Sequence, residues 1–179
     1  MEEKTFFAPA ARTDPAEIRK EFESIYSQSF FNEIFGSLTG IGAVMDQNRQ
    51  IVFANSDFLA MLGLDSIETV LGTRVGEVVA CIHSNEQQSG CGTSESCKYC
   101  GAVNAILESQ KSGAKSTKET RITTIVDGKM KSLDLNISST PITLSGQTFY
   151  AMIFQDISDE KRRFALERIF FHDLLNSAD

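Results

Sequence analysis

The stretch from Thr120 to Gln155 constrains the fold more than any other, because it reads as three strands separated by turns, the second with apolar residues at alternate positions. Thr120 to Val126 reads as one strand, Asp127-Gly128 as a hairpin turn, and Met130 to Ser139 as a second strand. In that second strand Leu133, Leu135 and Ile137 alternate with Asp134, Asn136 and Ser138. Pro141 interrupts, Ser145-Gly146 turns, and Thr148 to Gln155 makes a third strand, apolar enough to sit inside a sheet. Strands joined by tight turns are antiparallel, and the alternation implies one packed face and one open to water.

Upstream, Ile41 to Met45 and Gln50 to Ala54 flank the turn-prone Asp46-Gln47-Asn48-Arg49 and predict another hairpin. Asn55-Ser56-Asp57 caps a short helix carrying Phe58, Leu59, Met61 and Leu62, stopped by Gly63, and short helical pieces are expected to residue 80. A longer helix starts at Gly101, with Val103, Ile106 and Leu107 on one face. Before all of these, the first dozen residues read as a loose tail. Asp14 then caps a helix that starts at Pro15 and carries Ile18, Phe22, Ile25, Tyr26, Phe30 and Ile34, an amphipathic run of about twenty residues. The chain, 179 residues with 41% apolar and 23% charged side chains, has the composition of one folded domain with flanking helices. The element order gives an α+β plan, an antiparallel sheet with helices on one face.

That order resembles the PAS family. The matching pieces are Ile41-Gly42-Ala43-Val44-Met45-Asp46 with Ile51-Val52-Phe53-Ala54-Asn55, then Phe58-Leu59-Ala60-Met61-Leu62-Gly63, and finally the run from Phe154-Gln155-Asp156 to Lys161-Arg162, over about residues 37 to 160. The resemblance implies a five-stranded sheet cradling a ligand or cofactor against its helices. It divides the chain into a tail and amphipathic helix (1–36), a PAS sensor domain with a cysteine-rich segment (37–157, with the segment at 81–100) and a C-terminal signalling helix (158–179). A shared PAS fold does not fix the function.

All four cysteines, Cys81, Cys91, Cys97 and Cys100, fall within twenty residues, in a segment rich in Ser, Gly, Asn and Gln that has little apolar surface to bury. The first seven residues lack the basic and apolar regions of a signal peptide, and no apolar run is long enough to span a membrane. A cytoplasmic location is therefore expected. A reducing compartment opposes stable disulfides and leaves metal binding, catalysis or redox sensing for clustered thiols. The tight element is Cys97-Lys98-Tyr99-Cys100 followed by Gly101. Two intervening residues let both thiolates face one ion, and Cys100 sits just ahead of a helix whose N-terminal N–H groups favour thiolate.

Two metal centres compete: a structural zinc site on four thiolates, or on three with His83, and an iron–sulfur cluster on all four. Four reduced thiols, or a reversible disulfide between Cys97 and Cys100, is the third reading. The Cys-x-x-Cys-Gly turn favours zinc. The resemblance favours iron–sulfur, because some PAS sensors hold an oxygen-labile cluster on four cysteines in this region, with two Cys-x-x-Cys pairs where this chain has one. Covalent c-type haem is disfavoured because Gly101 stands where a histidine would be needed. A haem held by His83 alone, a thioredoxin-like site and a flavin adduct are disfavoured as well.

The run from Glu167 to Asn176 resembles the phosphoacceptor helix of sensor histidine kinases, which implies His172 as phosphoacceptor and Asp173 as the base that helps it. No glycine-rich ATP-binding motif follows before Asp179, so the kinase domain is expected on a longer chain or another one. Phe164, Leu166, Ile169, Phe170, Phe171, Leu174 and Leu175 cover more of the last helix than packing on one domain needs, which predicts a homodimer through the N- and C-terminal helices. A net charge of -7 disfavours nucleic acid and anionic membranes as partners. The expectation is the input domain of a two-component histidine kinase that senses redox state or oxygen through an iron–sulfur site and signals to a response regulator. The alternative is a ligand-binding or dimerising PAS module stiffened by zinc.

Overall fold

A computed structural model describes residues 5–126 and 128–177. Five strands, β1 (Ile41–Met45), β2 (Ile51–Ala54), β3 (Ser116–Val126), β4 (Lys129–Leu144) and β5 (Gln147–Asp156), form one sheet in the order β2-β1-β5-β4-β3. Every pair is antiparallel, with Ala43 opposite Met152 and Ile137 opposite Phe154. The expected α+β plan is present. β5 lies centrally, as its apolar sequence predicts. Pro141 does not end β4, which continues to Leu144. The β3 partnership stops at Ser116–Ser139, so Pro141 stands where that side of β4 is already an edge. Val126 and Lys129 close the β3–β4 ladder around the expected turn, of which Asp127 lies outside the described residues.

Between β2 and β3 come α3 (Ser56–Met61), α4 (Val75–Val78) and α5 (Gly101–Ser112). They cover one sheet face, where Phe58, Ala102 and Ile106 pack with Met45, Ile122, Ile137, Met152 and Phe154. The N-terminal helical run is two helices, α1 (Pro15–Tyr26) and α2 (Ser29–Ser37), and they pack on the other face. There Ile18, Ile25 and Phe35 meet Val44, Val52 and Phe149. The break at Ser27-Gln28 frees carbonyls, and neighbouring side chains take them up: Asn32 Nδ2 donates to the Tyr26 carbonyl at 2.6 Å and Ser27 Oγ to that of Ser24 at 2.9 Å. The bend turns Phe35 back onto Phe53 of β2, with ring centroids 5.9 Å apart. The last helix, α6 (Ser158–Ser177), begins with the Ser158 N–H bonded to Asp156 Oδ1 and leaves the sheet with its side chains largely exposed.

The reading of the first dozen residues as a loose tail does not hold for residues 5–12. Phe6 and Ala8 donate backbone N–H groups to Thr93 and Gly92, and Ala8 is buried. Among the described residues no helix is long and apolar enough to cross a membrane.

Candidate functional site

The polar segment 81–100 is held in place by one arginine. Arg74 is 1% exposed, and its guanidinium donates to the carbonyls of Ser89 (3.0 Å), Cys91 (3.1 Å), Ala10 (3.2 Å), Ala11 (2.7 Å) and Asn48 (3.2 Å). An arginine has five donor hydrogens in a planar fork, which lets one side chain fix three separate stretches of backbone. Small hydroxyls finish the work: Thr93 Oγ1 donates to the Gly90 carbonyl and Ser84 Oγ to that of Cys81. The segment is thus buried by hydrogen bonds rather than by apolar surface.

Each cysteine is placed by a different device. Cys81 pairs with Thr124 in a single bridge beside β3, and its N–H donates to the Gly76 carbonyl at 2.8 Å. Cys91 N–H donates to Glu77 Oε1 at 3.1 Å. Cys97 lies in a 3-10 turn, Ser96–Tyr99, that leads into Cys100, the N-cap of α5. Asn104 Nδ2 donates to the Cys100 carbonyl at 2.9 Å and holds that corner.

So placed, all four line one cavity of about 200 Å³. Its apolar walls come from Met45, Ile122 and Met152 of the sheet and Val75, Val103 and Ile106 of the helices. The cysteines therefore face the space between sheet and helices. Arg49, Arg74 and Arg121 line it as well, with His83, Ser84 and Ser96 among the other polar groups.

Every sulfur has a hydrogen-bond partner from outside the set. The backbone N–H of His83 serves Cys81 and that of Gly76 serves Cys91. Ser94 Oγ lies 3.2 Å from Cys97 Sγ, and Thr120 Oγ1 donates to Cys100 Sγ at 3.8 Å while accepting from the Gly101 N–H at 3.1 Å. All four cysteines are free of disulfides. Burial pushes the Cys91 thiol up to about 12, with the neighbouring Cys100 sulfur adding to the shift and the Gly76 N–H opposing it. Cys81 is raised by burial too. Thiols in this state give up their protons when a cation compensates the charge.

No group of three or more His, Cys, Asp or Glu side chains among the described residues is drawn together as a single-ion site requires. His83 lines the cavity, but its Nδ1 is engaged by Glu86 Oε1 at 2.5 Å and its ring is partly exposed. His172 is exposed on α6, and the Asp173 side chain lies outside the described residues. The sequence reading missed the arginines, Gly76 and Thr120. An arginine between Thr73 and Val75 carries no spacing signal that separates it from a surface residue.

No protein-family model matches the chain, and no curated protein matches it. Solved structures do. The PAS domain of nitrogen regulation protein NR(II) from Vibrio parahaemolyticus superposes over 73% of this chain and 100% of its own, with a TM-score of 0.50 and 17% identity. The PAS domain of BvgS from Bordetella pertussis covers 84% of this chain and 98% of its own at 14% identity and a TM-score of 0.48. A LOV protein from Rhodobacter sphaeroides covers 78% and 68% at 15% identity and 0.48. At such identities the likeness speaks for architecture alone. The sheet order, the helices inserted between β2 and β3 and the match to the first of these structures establish that this chain has the PAS fold.

Proposed function

We propose that this PAS domain is the input module of a two-component sensor kinase and that its ligand is an iron–sulfur cluster held by Cys81, Cys91, Cys97 and Cys100. The observation that carries the reading is the ring of four thiols around one cavity, each sulfur with its own hydrogen-bond partner. Around a single zinc, with bonds of about 2.3 Å, sulfurs lie about 3.8 Å apart. Four cysteines lining one cavity match the four thiolates that an iron–sulfur cluster takes. Buried arginines favour an anionic occupant, and N–H and O–H groups at the sulfurs are what a thiolate-held cluster requires. Bound there, such a cluster supplies one-electron redox chemistry and sensitivity to oxygen.

The chain's own residues supply the path outward. Cys100 stands at the N-cap position of α5, α5 packs on β3, β4 and β5, and β5 runs into α6, which carries His172 as the proposed phosphoacceptor and Asp173 as its proposed base. Protein purified without oxygen should be brown, contain iron and sulfide, and bleach in air. Replacement of Cys97 by Ser should abolish the colour. Colourless protein carrying one zinc, insensitive to air, overturns this reading in favour of a structural site.

A further inference from the structure

Residues 5–13 cross the cysteine segment, and the groups that hold them also form the walls of the cavity. Phe6 N–H donates to the Thr93 carbonyl at 2.9 Å and Ala8 N–H to the Gly92 carbonyl at 3.0 Å, two rungs of pairing directly after Cys91. Arg49, which lines the cavity, donates to the Pro9 carbonyl at 2.7 Å. Arg74 bonds Ala10 and Ala11 with one nitrogen and Ser89 and Cys91 with another. One guanidinium thus ties a cysteine's carbonyl to the N-terminal segment. The segment runs straight into Asp14, whose carboxylate caps α1 through the Ala16 N–H at 2.9 Å.

Charge gives the contact a reason to respond. Arg12, Arg49 and Arg74 repel one another, and the carboxylates set against them are Glu77 and Asp46. With neutral thiols this corner carries surplus positive charge. Four thiolates around Zn²⁺ or around an iron–sulfur core of the same charge bring two net negative charges, which reverse that surplus.

Resting on the metal reading of the cavity, we infer that residues 5–13 are a clasp whose closure reports whether the cysteine site is filled. Filling fixes the backbone at Cys91 and relieves the repulsion between Arg49 and Arg74, so the carbonyls of Pro9, Ala10 and Ala11 stay docked. Emptying frees both constraints, the clasp opens, and α1 loses the lead-in that sets its start. This second outlet acts on the sheet face that α1 and α2 cover.

The test is hydrogen exchange on the whole chain, kept anaerobic, after reconstitution with ferrous iron and sulfide and again after chelation, with metal content measured each time. Peptides covering 5–13 and 89–94 should exchange at least roughly tenfold faster once the metal is removed, while those covering β5 hold. Ala8→Pro deletes the N–H that pairs with Gly92 and leaves the cysteines and arginines intact. It should open the segment in loaded protein without lowering the metal content. Metal-bearing protein whose segment exchanges equally before and after chelation overturns the clasp and leaves the metal reading standing, as does an Ala8→Pro variant as protected as the parent. Protein that takes up no metal overturns both.

Discussion

A Cβ on Gly76 would stand 2.5 Å from Cys91 Sγ, and one on Gly101 would stand 2.2 Å from the Glu119 carbonyl oxygen. Each glycine is a close approach, the first between α4 and a sulfur, the second between the start of α5 and the backbone of β3. Gly76→Ala must rotate Cys91 away from the cavity, so about 1–3 kcal/mol of stability and most of the bound metal should be lost, readable by urea unfolding and elemental analysis. A variant with unchanged metal content removes Cys91 from the ligand set. Glu21 makes a different residue-scale case. It is 4% exposed on α1, it accepts from Gln147, and its Oε2 has no partner among the described residues. Burial, with the Asp46 charge adding to it, raises its carboxyl to about 7 from an ordinary 4.5. The folded state therefore holds this proton more tightly than the unfolded one, and its contribution is present below pH 4.5 and lost as pH rises through 7. The shift is worth on the order of 3 kcal/mol. Across that window the parent should lose stability relative to Glu21→Gln, and parallel curves for the two proteins sink the assignment. The cysteines were legible because four of them share twenty residues. Gly76, Arg74 and Glu21 were not, since each acts through a neighbour distant in sequence.

Strands were easier to read than helices because a period of two survives in short windows and tight turns mark the ends. The ends still moved, as β3 begins at Ser116 and β4 passes through Pro141, positions decided by pairing that sequence does not display. The apolar spacing of residues 18–34 fits one helix and also the two observed, because both segments face the same sheet; the bend at Gln28 answers to the position of Phe53. The start of α5 was placed correctly at Gly101, and its fixing by Thr120 was invisible. Thr120→Val keeps the shape, removes the acceptor for the Gly101 N–H and the donor to Cys100 Sγ, and leaves a buried N–H unpaired. The expected cost is about 1–3 kcal/mol in urea unfolding. In the proposed cluster the reduction potential should also fall, because the lost donor stabilised the more negative, reduced state. A potential equal to the parent's would detach Thr120 from the site and leave it a purely structural residue.

At the scale of the molecule, the sheet carries helices on both faces, yet apolar surface remains at one end. β1 begins and β5 ends side by side, with Ile41 opposite Phe154, so α2 enters and α6 leaves the sheet at the same end. Phe30 and Ile34 of α2 are 75% and 47% exposed, and Phe164, Leu166, Ile169, Phe170 and Phe171 of α6 are each more than half exposed. The body of the domain offers α6 few contacts beyond the start of the helix, where Lys161 pairs with Glu119 at 2.8 Å. Side chains at 166, 169 and 170 share a face one turn apart, of the kind that a second copy of the same helix would cover. The homodimer expected through the terminal helices would bury this face. Ile169→Lys with Phe170→Glu places charge at the centre of the seam, where an unpaired buried charge is strongly unfavourable. Sedimentation equilibrium should then give half the mass of the parent, with the circular dichroism of the domain nearly unchanged, because neither side chain enters the two cores that hold the sheet. A double variant that remains a dimer would place the contact away from this face of α6.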